Sequence, residues 1–369
     1  MRKSFKKIVK VIAAVFCTVV ILLCAYLGWL TVSDYQPLYK ENLVIAHMTD
    51  KENVELDKKY SITTYNIGFG AYSQDFDFFM DGGTESKAKD RETVMKNING
   101  AVDELNKIDP DFAFVQEIDI NSSRSRKTDQ RALVAHGLDD EYTNCFAFNY
   151  KVPYIIYPFS DMHGKVSAGQ GTYSKYKFET AERISLPTDQ SWLARLFGLD
   201  RCMIVNRIKT SNNKELVLIN LHMSAYDKGG EYRQKQLNML EEILEDEYKK
   251  GNYVIAGGDW NHVIPTTDIN KFAKTEERPD WYDYIPENFS PKGYRFEVDE
   301  NVPTNRTAGI PYDEDVNFTA IIDGFIVSDN IDVVAKKGSD LQFKYSDHNP
   351  TTIESVSYTH LTLPTKLEV

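Results

Sequence analysis

Several runs of β-branched and aromatic residues in this chain end in side chains able to bind a cation or move a proton. Asn66 closes SITTYN, Glu117 closes FAFVQE, His222 closes LVLINLH, and Asp259 closes YVIAGGD with Asn261 two residues on. Asp323 sits inside AIIDGFIVS, and Asp347 and His348 are adjacent in YSDHNP. Strand ends are where α/β folds assemble sites. Together these side chains could hydrolyse a phosphate ester, which needs a divalent cation on the phosphoryl oxygens, a base for water and help for the leaving oxygen.

Each residue also has a plainer reading. Glu117 emerges from an apolar run, where a hard cation would take an oxygen ligand, but a helix-capping or surface glutamate looks the same. Asp259 and Asn261 face the same way if the strand continues, whereas Gly257 and Gly258 before them would equally suit a turn. His222 fits a hydrogen-bond donor to a phosphate or a satisfied, partly buried histidine. Asp347 and His348 precede Asn349-Pro350, a breaker that would hold them at a fixed corner or merely in a solvated turn.

The elements that must position these residues are strands at 61–67, 111–117, 203–209, 215–222, 253–259 and 320–328, and two helices. The helical patterns run from Arg91 to Leu105 and from Glu231 to Tyr248; in the second, Leu237, Leu240, Ile243, Leu244 and Tyr248 share one face. Interleaved strands and helices predict an α/β domain over residues 60–355, undivided by any linker or repeat. Residues 69–88, with Asp75, Asp77 and Asp81, and residues 265–318, rich in Pro, Asn and acidic side chains, read as surface insertions. Within the first, FDFFMDGG (76–83) reads as a solvated loop, with a lid or a second cation site as alternatives.

The run from Val11 to Leu30 holds no charged residue and is long enough to cross a hydrocarbon core as a helix. Arg2, Lys3, Lys6, Lys7 and Lys10 precede it, so residues 1–10 are expected in the cytoplasm and everything after the 11–30 anchor outside, in a single-pass cell-membrane protein. A cleaved signal peptide is the rival, disfavoured by the length of the run and the lack of a small-x-small site. Residues 31–59 read as a stalk. Residues 1–40 carry six basic side chains and one acidic, so the formal charge of −12 places −17 on residues 41–369. Such a body repels polyanions and disfavours the nucleic-acid binding that a basic patch provides, but permits a small phosphate ester held through a cation. Cys17 and Cys24 lie in the anchor; Cys145 and Cys202 could form a disulfide, though nothing requires one.

In their order along the chain, TYNIGFG, FVQEID, NLHMSA, GGDWNH, IIDGFIVS and YSDHNPT resemble the successive motifs of the endonuclease/exonuclease/phosphatase family. The likeness spans about residues 60–355. It implies a DNase I-like four-layer fold, two packed β-sheets flanked by helices, with the site at one edge between the sheets. It further implies Mg²⁺, with Mn²⁺ or Ca²⁺ as alternatives, on Glu117 with Asn66 and Asp347 beside it. Asp259 and Asn261 would position water and phosphate, and Asn66, His222 and Asn261 would contact the substrate. His348 would be a general base or a phosphate-stabilising imidazole, with Asp323 fixing its tautomer. Attack by water would leave no covalent enzyme intermediate.

QGTYSKYKF (170–178) departs from the family, with Lys175 where relatives carry arginine. VSYTHLTLPTKLEV (356–369) does not resemble a family ending and reads as a foreign tail. Expected partners are a phosphate-ester substrate (nucleic acid, lipid headgroup or small ester) and the membrane through the N-terminal helix, with no protein partner. A phosphodiesterase or nuclease comes first, a lipid or small-molecule phosphatase second, and a non-catalytic binding module third. The aromatic segment CFAFNYKVPYIIYPF (145–159) reads as core, with a lipid-facing edge as the alternative.

Overall fold

The computed structural model describes residues 2–46, 49–138, 142–225, 227 and 229–358. Side-chain alternation along the strands builds its layers. In Lys59–Asn66, Tyr60 and Ile62 point inward to the space between two sheets while Tyr65 points outward. In Phe112–Asp119, Phe112 and Phe114 point in, Ala113 and Val115 out. Glu215–His222 sends Leu216 and Leu218 to the same inner core and Val217, Ile219 and Leu221 to the other side. A period of two with both phases apolar requires cover on both faces of each sheet.

Helices supply that cover. Among the described residues, α1 is Arg2–Val32, α2 Arg91–Ile108, α3 Gln130–Gly137, α4 Trp192–Phe197 and α5 Glu231–Lys250. Val94, Ile98 and Leu105 of α2 pack on one sheet; Leu237, Leu240 and Leu244 of α5 pack on the other. Asp90 caps α2 by accepting from Thr93 N, and Gly251 in the left-handed region ends α5. The result is the four-layer sandwich that the family resemblance implies, helix on sheet on sheet on helix.

Each sheet has a parallel pair at its centre, joined by the helix that covers it. Lys59–Asn66 pairs with Phe112–Asp119 across α2, and Glu215–His222 with Tyr253–Asp259 across α5. The remaining pairings beside them are antiparallel, apart from the short parallel contact of Asn53–Val54 with Cys202–Thr210. Both central pairs run toward the same end of the sandwich, which places their carboxyl ends together.

Three segments differ from expectation. The supposed stalk contributes short strands to both sheets: Lys40–Asn42 pairs with Thr180–Ser185, Ile45–Ala46 with Thr143–Ile155, and Asn53–Val54 with Cys202–Thr210. Strands of two or three residues carry too little alternation to be read from sequence. The 69–88 segment is not wholly a surface insertion, nor is 76–83 wholly a solvated loop, because Phe69, Tyr72, Phe76 and Phe78 enter the core beside α2. Likewise 265–318 holds a small core of its own (Ile269, Tyr282 and Phe318) and the edge strand Tyr294–Glu297. At the C-terminus, Val356 and Ser357 complete the strand Thr351–Ser357, which lies between Lys59–Asn66 and Ile331–Gly338, so the domain continues past 355. The rest of the supposed foreign tail, 359–369, lies outside the described residues.

Cys145 and Cys202 are both buried and both free. Lys175 ties a strand end to the C-terminus of α2 through Asp109 (2.5 Å). The 145–159 segment divides: Cys145 and Ala147 face the inter-sheet core, whereas Tyr157 and Phe159 are exposed. α1 is long and apolar enough to cross a membrane.

Candidate active site

Strand register assembles half of the site in one row. His222 lies beside Asp259 in the parallel pair, and Asp259 lies beside Asp323 in the adjoining antiparallel pair. The opposing sheet contributes Asn66, in register with Gln116, and then Glu117. Glu117 sits at a bulge between Val115 and Ile118 with φ 57°, and the bulge turns its carboxylate toward the cleft. The two glycines of GGDWNH are not a turn. They lie within the strand Tyr253–Asp259, and a Cβ on Gly258 would strike the Leu221 carbonyl oxygen and lie 3.1 Å from Gln116 Nε2. Glycine there lets the two sheets close beneath the site.

Hydrogen bonds lock the cluster. Asn66 Nδ2 donates to Asp259 Oδ2 (3.0 Å) and Glu117 Oε1 (3.3 Å), while its Oδ1 accepts from Gly68 N (3.0 Å). The amide thus orients two carboxylates, with its own oxygen engaged by Gly68 N. Asn261 N donates to Asp259 Oδ1 (2.8 Å) and Asn261 Nδ2 to the Met223 carbonyl (2.8 Å). His222 Nε2 lies 3.3 Å from Asp259 Oδ2 and 4.0 Å from Glu117 Oε1. His348 Nδ1 meets Asp323 Oδ2 at 2.8 Å, and its Nε2 is 3.7 Å from Asp259 Oδ2. With Asp347 lining the same cleft, all eight residues read from sequence as ligands, catalysts or substrate contacts are at this one place.

Burial and crowding set the protonation states. Desolvation pushes Asp259 up to about 6, partly offset by His348 and reinforced by Asp323. Desolvation, opposed by His348 and aided by the nearby Glu117 charge, pushes Asp347 up to about 7. Burial disfavours a charged His348, yet Asp323, Asp259 and Asp347 outweigh it and raise the ring to about 10. Burial, with Arg201, His348 and Arg124 adding repulsion, holds His222 well below its usual value and keeps it neutral.

These observations fit a bound cation. Asp323 Oδ1 and His222 Nδ1 are buried without a hydrogen-bond partner, and carboxylates with raised proton affinity are short of positive charge. Among the described residues, Asp259, Asp323 and His348 bring one ligand atom each within 4.8 Å of one another. Within that group His348 Nδ1 is engaged by Asp323 Oδ2 (2.8 Å), and the carboxylates of Glu117 and Asp347 line the same cleft.

Sequence reading missed Asn305, whose Nδ2 lies 3.0 Å from His348 Nε2 and whose Oδ1 accepts from Tyr282. It also missed a buried amide network under the site, where Gln116 Nε2 donates to Asn220 Oδ1 (2.8 Å) and Asn220 Nδ2 to the Gly171 carbonyl (2.8 Å). Asn305 belongs to a two-residue strand paired with Thr319–Ala320, and so short an element leaves no periodic signal.

The cluster forms one end of a cleft of about 640 Å³ that runs on to Asp189, Ala194 and Phe197 at α4. The model of the endonuclease/exonuclease/phosphatase family matches residues 63–348. Among solved structures, the chain is similar to an endonuclease/exonuclease/phosphatase from Beutenbergia cavernae, with TM-score 0.55, 16% identity, and coverage of 81% of this chain and 72% of that one. It is also similar to a humanized D. rerio TDP2, with TM-score 0.50, 15% identity, and coverage of 81% and 99%. For ANGEL2, described as a 2',3'-cyclic phosphatase, the values are 0.50, 13%, 87% and 99%. No match is found among curated proteins.

Proposed function

The chain belongs to the endonuclease/exonuclease/phosphatase family, and from that premise we propose that it is a metal-dependent phosphodiesterase in which water attacks phosphorus directly. The observation that carries this reading is the convergence of Glu117, His222, Asp259, Asp323, Asp347 and His348 on one cleft, with carboxylates whose proton affinity is raised. Glu117 and Asp347 would hold the cation, Mg²⁺ first and Mn²⁺ or Ca²⁺ as alternatives. When bound, it would polarise the phosphoryl oxygens and stabilise the leaving oxygen.

The chain's own residues supply the rest. Asp259, poised near 6, is a carboxylate at neutral pH yet basic enough to take a proton from the attacking water. Asn261 fixes the orientation of Asp259 through its backbone N–H. His348, raised to about 10 by its carboxylate neighbours, is charged at neutral pH and stabilises the phosphoryl group rather than serving as the base. Asp323 holds its Nδ1–H. Asn305 Nδ2 lies 3.0 Å from Nε2, a contact that suits the neutral ring, so the charged ring requires the Asn305 amide to turn. Neutral His222 adds an N–H beside the phosphate.

We place α1 across the cell membrane with residues 1–10 in the cytoplasm and the catalytic body outside. The apolar helix and the five basic residues before Val11 support this. The acidic body favours a small ester over a polyanion. The test is hydrolysis of bis(p-nitrophenyl) phosphate by the full chain in detergent, with Mg²⁺ or EDTA, beside Glu117→Gln and His348→Ala. Turnover lost with EDTA and in both variants is expected. A folded wild type that hydrolyses neither this diester nor DNA, RNA or phospholipids with any divalent ion would point to the binding-module reading instead.

A further inference from the structure

The outer end of α1 does not hang free of the body. Leu30 is 1% exposed, packed with Val152 and Leu196. Tyr26 Oη donates to the Tyr154 carbonyl (2.8 Å), Trp192 Nε1 donates to Thr31 Oγ1 (3.1 Å), and Arg195 pairs with a nearly buried Asp34 (2.8 Å). The Tyr26 and Phe197 rings are 6.5 Å apart. The helix is thus fixed to the body at the end of Thr143–Ile155 and along α4.

This docking has a consequence for depth. Tyr26 stands four residues before the end of the apolar run, about 6 Å down the helix axis at 1.5 Å per residue. A bilayer spanning 11–30 therefore meets the body at the level of Tyr154 and α4. The body carries large exposed apolar side chains there: Trp192 is 50% exposed, Leu193 53%, Tyr157 58% and Phe159 74%. In water such a collar is unfavourable, whereas tryptophan and tyrosine are enriched at membrane interfaces. Ala194, Arg195 and Phe197 of the same α4 line the cleft that holds the catalytic cluster. On the other side, the Tyr157 ring lies 5.7 Å from Phe79, next to the cleft-lining Phe78 and Met80.

We propose that Tyr154, Tyr157, Phe159, Trp192 and Leu193 seat the catalytic domain on the outer leaflet of the bilayer that α1 spans, and that the substrate is the phosphate ester of a lipid headgroup. The occupant follows from continuity, since Tyr154 and Trp192 of the collar bond the spanning helix itself and Tyr157, Phe159 and Leu193 follow them closely along the chain. The substrate class rests on the hydrolase reading above. A cleft sharing α4 with that contact opens next to headgroups, which the anchor keeps at a high effective concentration.

Two measurements on the full chain in phosphatidylcholine vesicles test this. First, in a Trp29→Phe background, lipids brominated high on the acyl chain should quench at least half of the emission that Trp192→Phe removes. Unquenched Trp192 overturns the seat. Second, the triple variant Tyr157→Ser, Phe159→Ser, Leu193→Ser should keep wild-type turnover of soluble bis(p-nitrophenyl) phosphate. It should lose at least tenfold on vesicles containing phosphatidylcholine, sphingomyelin and phosphatidylglycerol. Equal vesicle turnover by variant and wild type, or no lipid turnover by a protein that cleaves the soluble diester, overturns the lipid assignment. Loss of soluble-diester turnover in the wild type strikes the hydrolase reading instead, and the quenching result stands apart from both.

Discussion

Asp259 and Glu247 are two carboxylates withdrawn almost equally from water, at 1% and 2% exposure, and their proton affinities go opposite ways. Asp259 is pushed up to about 6; Glu247 is held down to about 2. Burial raises both. For Glu247 it is outweighed by hydrogen bonds from Arg207 (2.6 Å), Lys250 (2.8 Å) and Asn252 (2.7 Å). Asp259 receives an amide, a backbone N–H and the attraction of His348, has the neutral His222 Nε2 at 3.3 Å, and faces Asp323. One carboxylate is neutralised by the fold; the other is left to be satisfied from outside. That difference separates a structural charge from a functional one more sharply than burial does.

The largest effect expected from this contrast is on turnover. Asp259→Asn removes the proposed base and should lower kcat by about 10²–10⁴-fold, the usual contribution of a positioned acid or base. Its effect on stability should have the opposite sign. A carboxyl raised from 3.8 to about 6 in the folded state favours folding most below the unfolded value, and that contribution is lost as pH rises from about 4 to 6. The cation-free variant should therefore melt higher than wild type at pH 8 and no higher at pH 4. Calorimetry at the two pH values in EDTA checks this; a lower melting temperature at pH 8 would show that Asp259 is compensated within the fold.

Glu247→Gln should do the reverse. It leaves Arg207, 19% exposed, with only Glu215 (2.5 Å) as a charged partner, and breaking a largely buried pair costs about 3–5 kcal/mol. A carboxylate depressed to about 2 stabilises the fold above its unfolded value of 4.5, and that stability is lost as pH falls toward 2. The penalty should thus be full at pH 7 and shrink below pH 4, with kcat per folded molecule unchanged. Denaturant melts across pH measure it.

How far this contrast could be read in advance depends on element length. The long strands and helices were legible because eight-residue alternation, as in Glu215–His222, and the helical face of Leu237, Leu240 and Leu244 are periodic signals. The candidate site residues were legible because they stand at or beside strand ends in a recognisable order. What escaped was local and aperiodic: the edge strands at 40–54, the Asn305 contact to His348, and the burial of Phe76 and Phe78 inside an acidic segment. The orientation of the Asn66 amide escaped for another reason, since it is decided by Gly68 N, which only the folded turn brings near. Arg207 and Glu247 are 40 residues apart and unremarkable in sequence, so their pairing was invisible too.

The smallest expected effect completes the comparison by supplying the missing charge. A cation that binds the native state alone stabilises it by about 2.7 kcal/mol at a hundred times its Kd. If Glu117 and Asp347 hold it, millimolar Mg²⁺ should raise the melting temperature of wild type and of Glu247→Gln alike. The same Mg²⁺ should leave Asp347→Asn and Glu117→Gln unmoved. Asp347→Asn alone should also narrow the gap between the melting temperatures in EDTA at pH 8 and pH 5, because a carboxyl raised to about 7 loses its stabilising share across that window. Equal Mg²⁺ shifts in all four proteins, read by scanning calorimetry, would place the cation elsewhere, with Asp259, Asp323 and His348 as the next group to substitute.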